Sequence, residues 1–165
     1  MYNVMIKDAR PPDLEDVYQL NQANLPHVGA ISLSDMASLY NQAVYFRVAK
    51  SGEKIAGFLI AFDPHAGYKS PNYLWFKKHF EAFIYIDRII IAPEFRGKGL
   101  AFDLYKDLEQ FACARGIPIL ACEYNLRPQN ETSRIFHRQY GFKEVGRQET
   151  EGGKKTVSLQ IKQIG

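Results

Sequence analysis

A strongly apolar run, Phe83 to Ala92, enters a turn with glycines at positions 97 and 99, and the turn opens into an amphipathic run, Phe102 to Arg115. A second apolar run begins at Ile117 and continues to Tyr124. Strand, helix and strand joined this way form a parallel pair with a right-handed crossover, and that commits the chain to an α/β architecture. Ala101, Leu104, Tyr105, Leu108, Phe111 and Ala112 give a helix over 99–115 one sheet-facing stripe, and Gly116-Ile117-Pro118 ends it.

The turn itself is built to hold an anion. A helix start leaves backbone N–H groups without intrahelical partners and places partial positive charge there, while glycine lets the backbone come close to a ligand. Two familiar phosphate motifs are excluded by spacing, because neither Gly-x-x-x-x-Gly-Lys-Ser/Thr nor Gly-x-Gly-x-x-Gly is present. What stands here is Arg96-x-x-Gly99-x-Ala101, introduced by Ile89-x-Ile91-x-Pro93. Downstream lies Asn130-Glu-Thr-Ser133-Arg-Ile-Phe136-His137-Arg-Gln-Tyr-Gly141-Phe142.

The first pattern resembles the acyl-CoA pyrophosphate loop of the GNAT acetyltransferase superfamily, and the second resembles that superfamily's Asn-x-x-Ser/Ala helix ending in Gly-Phe. The motifs cover roughly residues 83–145. The resemblance implies one domain over 1–165, with a mixed central sheet of about seven strands, a splayed parallel pair and about four flanking helices. It implies acetyl-CoA as co-substrate, with Arg96, Gly97, Lys98, Gly99, Leu100 and Ala101 around the pyrophosphate. Backbone of Ile89 and Ile91 would meet the pantetheine arm, and Asn130 and Ser133 would lie near it.

The remaining elements follow the same order. Val4 to Asp8 reads as a strand, and Pro12 opens a helix that ends near Leu25. Ser34 is suited to cap a second helix carrying Met36, Leu39 and Tyr40. Strands over 44–49 and 55–62 turn at Ser51-Gly52. A helix over 130–140 stops at Gly141, and a terminal hairpin, 143–150 with 156–164, turns at Gly152-Gly153. Residues 63–82 read as an irregular aromatic segment with a helical turn over 73–79. It either walls a substrate pocket, forms a homodimer contact, or packs on itself over the sheet edge.

Composition bounds the partners. The chain has 165 residues, 46% of them hydrophobic, enough for a core of its own. No stretch approaches the ~18 apolar residues of a membrane span, and the first ten residues lack a signal-peptide layout, so a cytoplasmic protein without membrane partner is expected. Net charge of +3 suits a phosphorylated cofactor. The 21 lysines and arginines are scattered, which argues against nucleic acid. Cys113 and Cys122 read as packing thiols, and His27, His65 and His79 have no metal-site spacing.

Acetyl transfer to an amine needs a base for the ammonium proton, donors for the developing oxyanion and a proton for the leaving thiolate. Glu123 interrupts the apolar run Ile119 to Tyr124, where a carboxylate is costly unless paired or functional. Its placement resembles the glutamate of GNATs that acetylate ribosomal-protein N-termini, although here it stands seven positions ahead of Asn130. Asp87, within Ile84 to Ile89, competes for the role. The neighbouring Arg88 is expected on the opposite strand face, so a partner for Asp87 would come from elsewhere. His137 occupies the position at which GNATs commonly carry a tyrosine acid, and an imidazole can donate a proton near neutral pH. The acceptor is a primary amine of a small molecule or peptide that the sequence does not identify. The other reading is a non-catalytic acyl-CoA-binding sensor.

Overall fold

In the computed structural model, residues 3–25 and 28–165 are described, and His27 lies outside them. The strands are β1 (Met5–Asp8), β2 (Tyr45–Ser51), β3 (Lys54–Phe62), β4 (Ile84–Ile91), β5 (Ile119–Arg127), β6 (Lys143–Thr150) and β7 (Lys155–Gln163). The helices are α1 (Leu14–Gln22), α2 (Leu33–Gln42), α3 (Pro71–His79), α4 (Leu100–Ala114) and α5 (Glu131–Tyr140). The strands form one mixed sheet in the order β1-β2-β3-β4-β5-β7-β6. Ile84 and Tyr85 of β4 run parallel to Leu120 and Ala121 of β5, as the strand–helix–strand pattern requires. Pairs β1–β2, β2–β3, β5–β7 and β6–β7 are antiparallel.

The residues fall into two compact units, Met1–Phe62 with Ile86–Leu108, and Asp63–Tyr85 with Glu109–Gly165. In the first, Val17, Met36, Val48, Phe58, Leu59 and Leu104 are fully buried, so α1, α2 and the start of α4 place their stripes in one core. A polar clamp fixes α4 there: Asp107 Oδ2 accepts from Tyr45 Oη and from Arg47, each at 2.7 Å. In the second unit, Tyr73, Phe76, Phe83 and Tyr85 form an edge-to-face and tilted cluster with centroids 5.6–6.3 Å apart.

Two local expectations change. The cap of α2 is Ser32 rather than Ser34: Ser32 Oγ accepts from the Asp35 N–H at 2.9 Å and Asp35 returns the bond to the Ser32 N–H at 3.1 Å, a reciprocal pairing that Ser34 is too late to make. The aromatic segment is also more ordered than expected, because α3 is a helix of nine residues and brings the count to five. Pro71 presets its first turn, Tyr73 and Phe76 bury one side, and Lys77, Lys78 and His79 complement the dipole at its end.

Gly57 marks where β3 tolerates no side chain. A Cβ there would lie 2.8 Å from the Ile90 carbonyl oxygen and 2.9 Å from Ile91 Cδ1. Gly57→Ala is therefore expected to destabilise the protein by about 1–3 kcal/mol, read as a lower urea midpoint with unchanged slope. An unaltered midpoint would show that β4 moves aside without cost.

Candidate functional site

In the first unit, β4 ends at Ile91, a turn of 3-10 helix covers Pro93–Phe95, and the chain reaches α4 through Arg96 to Gly99. Gly97 and Gly99 have φ of +75° and +81°, a region that L side chains rarely adopt. No heavy atom lies within 4 Å of a Cβ built at either glycine, so the loop presents bare backbone to open space. The Asp103 N–H bonds to the Gly99 carbonyl at 3.0 Å, and helix geometry leaves the N–H groups ahead of it without intrahelical partners. Such a cradle fits a pyrophosphate, with the dipole of α4 behind it.

The basic side chains of the loop are exposed and each also contacts protein groups. Arg96 Nε donates to the Ile91 carbonyl at 3.0 Å, and its Nη2 donates to Asn24 Oδ1 at 2.7 Å. The guanidinium thus ties the loop to the end of α1, and it uses one of the two lone pairs of the Ile91 carbonyl. Lys98 Nζ lies 3.4 Å from the Glu94 carbonyl and 5.7 Å from the Phe95 ring centroid. Ile89 is half-buried in β4, and Leu100 and Ala101 open α4, Leu100 buried.

Asp87 also differs from expectation. Arg88 curls back and its Nε reaches Asp87 Oδ2 at 2.7 Å, with the two side chains 10% and 5% exposed. Strand alternation separates the two Cβ directions, but the long arginine side chain overcomes it. Arg88 Nη1 continues to Asn21 Oδ1 at 2.9 Å, and Asn21 Nδ2 donates to the Gly29 carbonyl at 3.2 Å. A carboxylate engaged this way holds a framework in place.

In the second unit, Glu123 follows the buried run Leu120, Ala121 and Cys122 on β5. Its Oε1 accepts from Tyr85 Oη at 2.8 Å and from Asn72 Nδ2 at 3.1 Å. Asn72 Oδ1 accepts in turn from Gln148 Nε2 at 3.1 Å. Burial, and then the neighbouring Glu123 charge, push the Cys122 thiol well up, so it is a packing residue and no nucleophile. Sequence reading finds Glu123 and misses its two donors. Tyr85 lies within an apolar run like any core aromatic, and Asn72 follows a proline in a segment read as irregular.

Asn130 caps α5, accepting from the Ser133 N–H at 3.2 Å, so its side chain is used by the helix. His137, expected as a proton donor, is buried with Tyr124, Phe136 and Phe142 rings around it. Its Nδ1 lies 2.7 Å from the Ser133 carbonyl and 3.2 Å from Ser133 Oγ. A carbonyl accepts only, so Nδ1 carries the proton and Nε2 of the neutral ring is an acceptor. Burial lowers the His137 pKa, and the Ser133 carbonyl only partly opposes it. Tyr140 donates to Glu109 at 3.2 Å, and burial, reinforced by that carboxylate, raises its pKa.

Among the described residues, no cluster of three His, Cys, Asp or Glu could hold a metal ion, and no helix is long and apolar enough to cross a membrane. The family model described as Acetyltransferase (GNAT) family matches residues 14–142. No curated protein matches the chain by sequence. Its fold is similar to that of the ribosomal-protein-S18-alanine N-acetyltransferase from Escherichia coli, at TM-score 0.76 and 18% identity over 99% of this chain and 95% of that one. It is also similar to Arabidopsis thaliana NAA60 in complex with a bisubstrate analogue, at TM-score 0.78 and 14% identity over 99% of each chain. A third similar structure is the NatC complex bound to Gag peptide and CoA, at TM-score 0.76 and 15% identity over 99% and 100% of the respective chains.

The buried histidine predicts an acid-sensitive helix. With its folded pKa below the unfolded value of 6.5, the unfolded chain binds the extra proton, so this contribution to stability is present above that value and is lost as pH falls through it. His137→Gln should flatten the fall of the urea midpoint between about pH 7 and 5. An equally steep fall in the variant would show that other groups cause it.

Proposed function

Because the chain belongs to the GNAT acetyltransferase family, we propose that it transfers an acetyl group from acetyl-CoA to a primary amine by direct attack in a ternary complex. The proposal treats residues 1–165 as one acetyltransferase domain in the cytoplasm, needing no metal, nucleic acid or membrane. The observation that carries it is the glycine loop before α4, whose positive-φ backbone and open Cβ positions suit a pyrophosphate. Acetyl-CoA supplies an activated thioester, and the loop from Arg96 to Ala101 holds the diphosphate through backbone N–H groups. Arg96 contributes by keeping the loop in shape.

Glu123 is the base of this proposal. An amine attacks only when neutral, so a carboxylate must receive the ammonium proton, directly or through a water. Glu123 accepts bonds from two uncharged donors, whereas Asp87 is held by a guanidinium, and this difference favours Glu123. His137 is reassigned. Its proton sits on Nδ1, bonded to the Ser133 carbonyl, and burial disfavours the imidazolium, so it tethers α5 and the departing thiolate takes its proton from solvent.

Free-thiol release from acetyl-CoA, measured against a panel of peptide N-termini, lysine side chains, polyamines and amino acids, tests the activity. Amine-dependent thiol release is expected. Tight acetyl-CoA binding without release for any amine would mark a sensor instead. Gly99→Ala, whose methyl group enters the open side of the loop, should weaken acetyl-CoA binding by roughly 10- to 100-fold in a folded protein. Calorimetry showing native affinity would remove the loop from the cofactor site. Glu123→Gln should lower turnover by about 10²- to 10⁴-fold with little change in acetyl-CoA affinity. Native turnover in that variant, together with collapse in Asp87→Asn, would move the base to Asp87.

A further inference from the structure

We infer that Asn72 is a positioning residue for the base, holding the Glu123 carboxylate in one rotation, and that α3 is the arm that delivers it. The inference rests on Glu123 being the base and adds how that carboxylate is aimed and kept ionised. Two donors from separate elements, Asn72 of α3 and Tyr85 of β4, converge on the same oxygen, Oε1. Convergence of this kind fixes the plane of a carboxylate and favours its charged form over the acid. Tyr85 has no freedom to drift, being fully buried with ring centroids of Tyr73 and Phe76 at 5.6 and 5.9 Å.

Asn72 has a defined polarity for the same reason. Its carbonyl oxygen accepts from Gln148 Nε2 of β6, so its amide N–H₂ is the end that faces Glu123. The reverse orientation would set a carbonyl against a carboxylate. One directed chain therefore runs from Gln148 through Asn72 to Glu123.

The helix carrying Asn72 is seated on the same strand, β6, one turn further along. A Cβ at Gly146 of β6 would lie 2.6 Å from Trp75 Cζ2 and 3.1 Å from Cη2, so the indole lies on bare strand backbone. His79 stacks on the indole at 3.9 Å, and its Nδ1 lies 2.7 Å from the Trp75 carbonyl. The β6–β7 register shifts between Glu144 and Gly146, which places an irregularity of the strand under the ring. Gly146 sets the seat of α3, and α3 sets Asn72. Groups bonded to the carboxylate include Asn72 and the Tyr85 phenol; the adjacent Cys122 thiol feels its charge from the opposite strand face, and its cross-strand partner on β7 is the apolar Leu159.

The test is the pH profile of turnover together with a direct titration of the Glu123 side-chain carboxyl by carbon-13 NMR. Asn72→Ala removes one donor to the ionised form. Turnover should fall roughly tenfold at neutral pH, recover toward the native value at higher pH, and leave the KM for acetyl-CoA unchanged. The Glu123 carboxyl should titrate at higher pH in the variant. Gln148→Leu, which loses the partner orienting Asn72 without touching the base, should move both readouts the same way by less, and it serves if Asn72→Ala does not fold. A native titration of Glu123 in either folded variant would overturn the inference, as would a loss of turnover equal at every pH. The NMR titration reads the contact without catalysis. If Glu123→Gln keeps native turnover while Asn72→Ala still shifts the titration, the base assignment fails and the positioning contact stands.

Discussion

The cost of holding a carboxylate inside an apolar strand governs the second unit. Glu123 follows three buried residues on β5, where an uncompensated charge would cost several kcal/mol. Compensation includes two neutral donors, and a neutral donor leaves a carboxylate able to accept a proton, whereas a guanidinium competes with that proton. The first unit shows the contrast. Asp87 meets Arg88 in a largely buried ion pair that continues into Asn21, and the arrangement is a framework for the end of α1.

That framework has a simple geometry. Asn21 and Asn24 stand three positions apart, hence on one side of the α1 terminus, and each receives an arginine, Arg88 from β4 and Arg96 from the loop behind it. A guanidinium can do this because its fork reaches two acceptors in one plane; Arg96 joins Asn24 to the Ile91 carbonyl. Lysine would offer charge without the fork. The arginine of Arg96-x-x-Gly99 is therefore explained by the shape of the loop, while Gly97 and Gly99 supply the opening toward an anion.

Periodicity and punctuation made most of the fold legible. The apolar runs at 83–92 and 117–124 announced the parallel pair, and the glycines at 152 and 153 marked the hairpin turn that forms β6 and β7. The site was legible where one residue type broke a pattern, as Glu123 breaks its strand. It was illegible where geometry depends on side-chain reach. Strand alternation sent Arg88 away from Asp87, yet the side chain is long enough to return. Likewise α3 was legible only as a helical turn over 73–79, because its aromatic residues are too dense for a clean helical stripe, and Asn72 in its first turn fell outside that reading.

His137 shows how a motif position changes chemistry with its surroundings. A tyrosine there would offer a hydroxyl at the far end of a ring, while the imidazole folds its Nδ1–H back onto the Ser133 carbonyl one helical turn earlier. Its other nitrogen can donate only as imidazolium, the form that burial disfavours. Four residues on, the chain leaves α5 through Gly141 at φ of +109°, and the Phe142 N–H bonds to the His137 carbonyl at 2.9 Å. The histidine thus anchors both a turn within the helix and the close of its C-terminus. That packing explains its burial among Tyr124, Phe136 and Phe142.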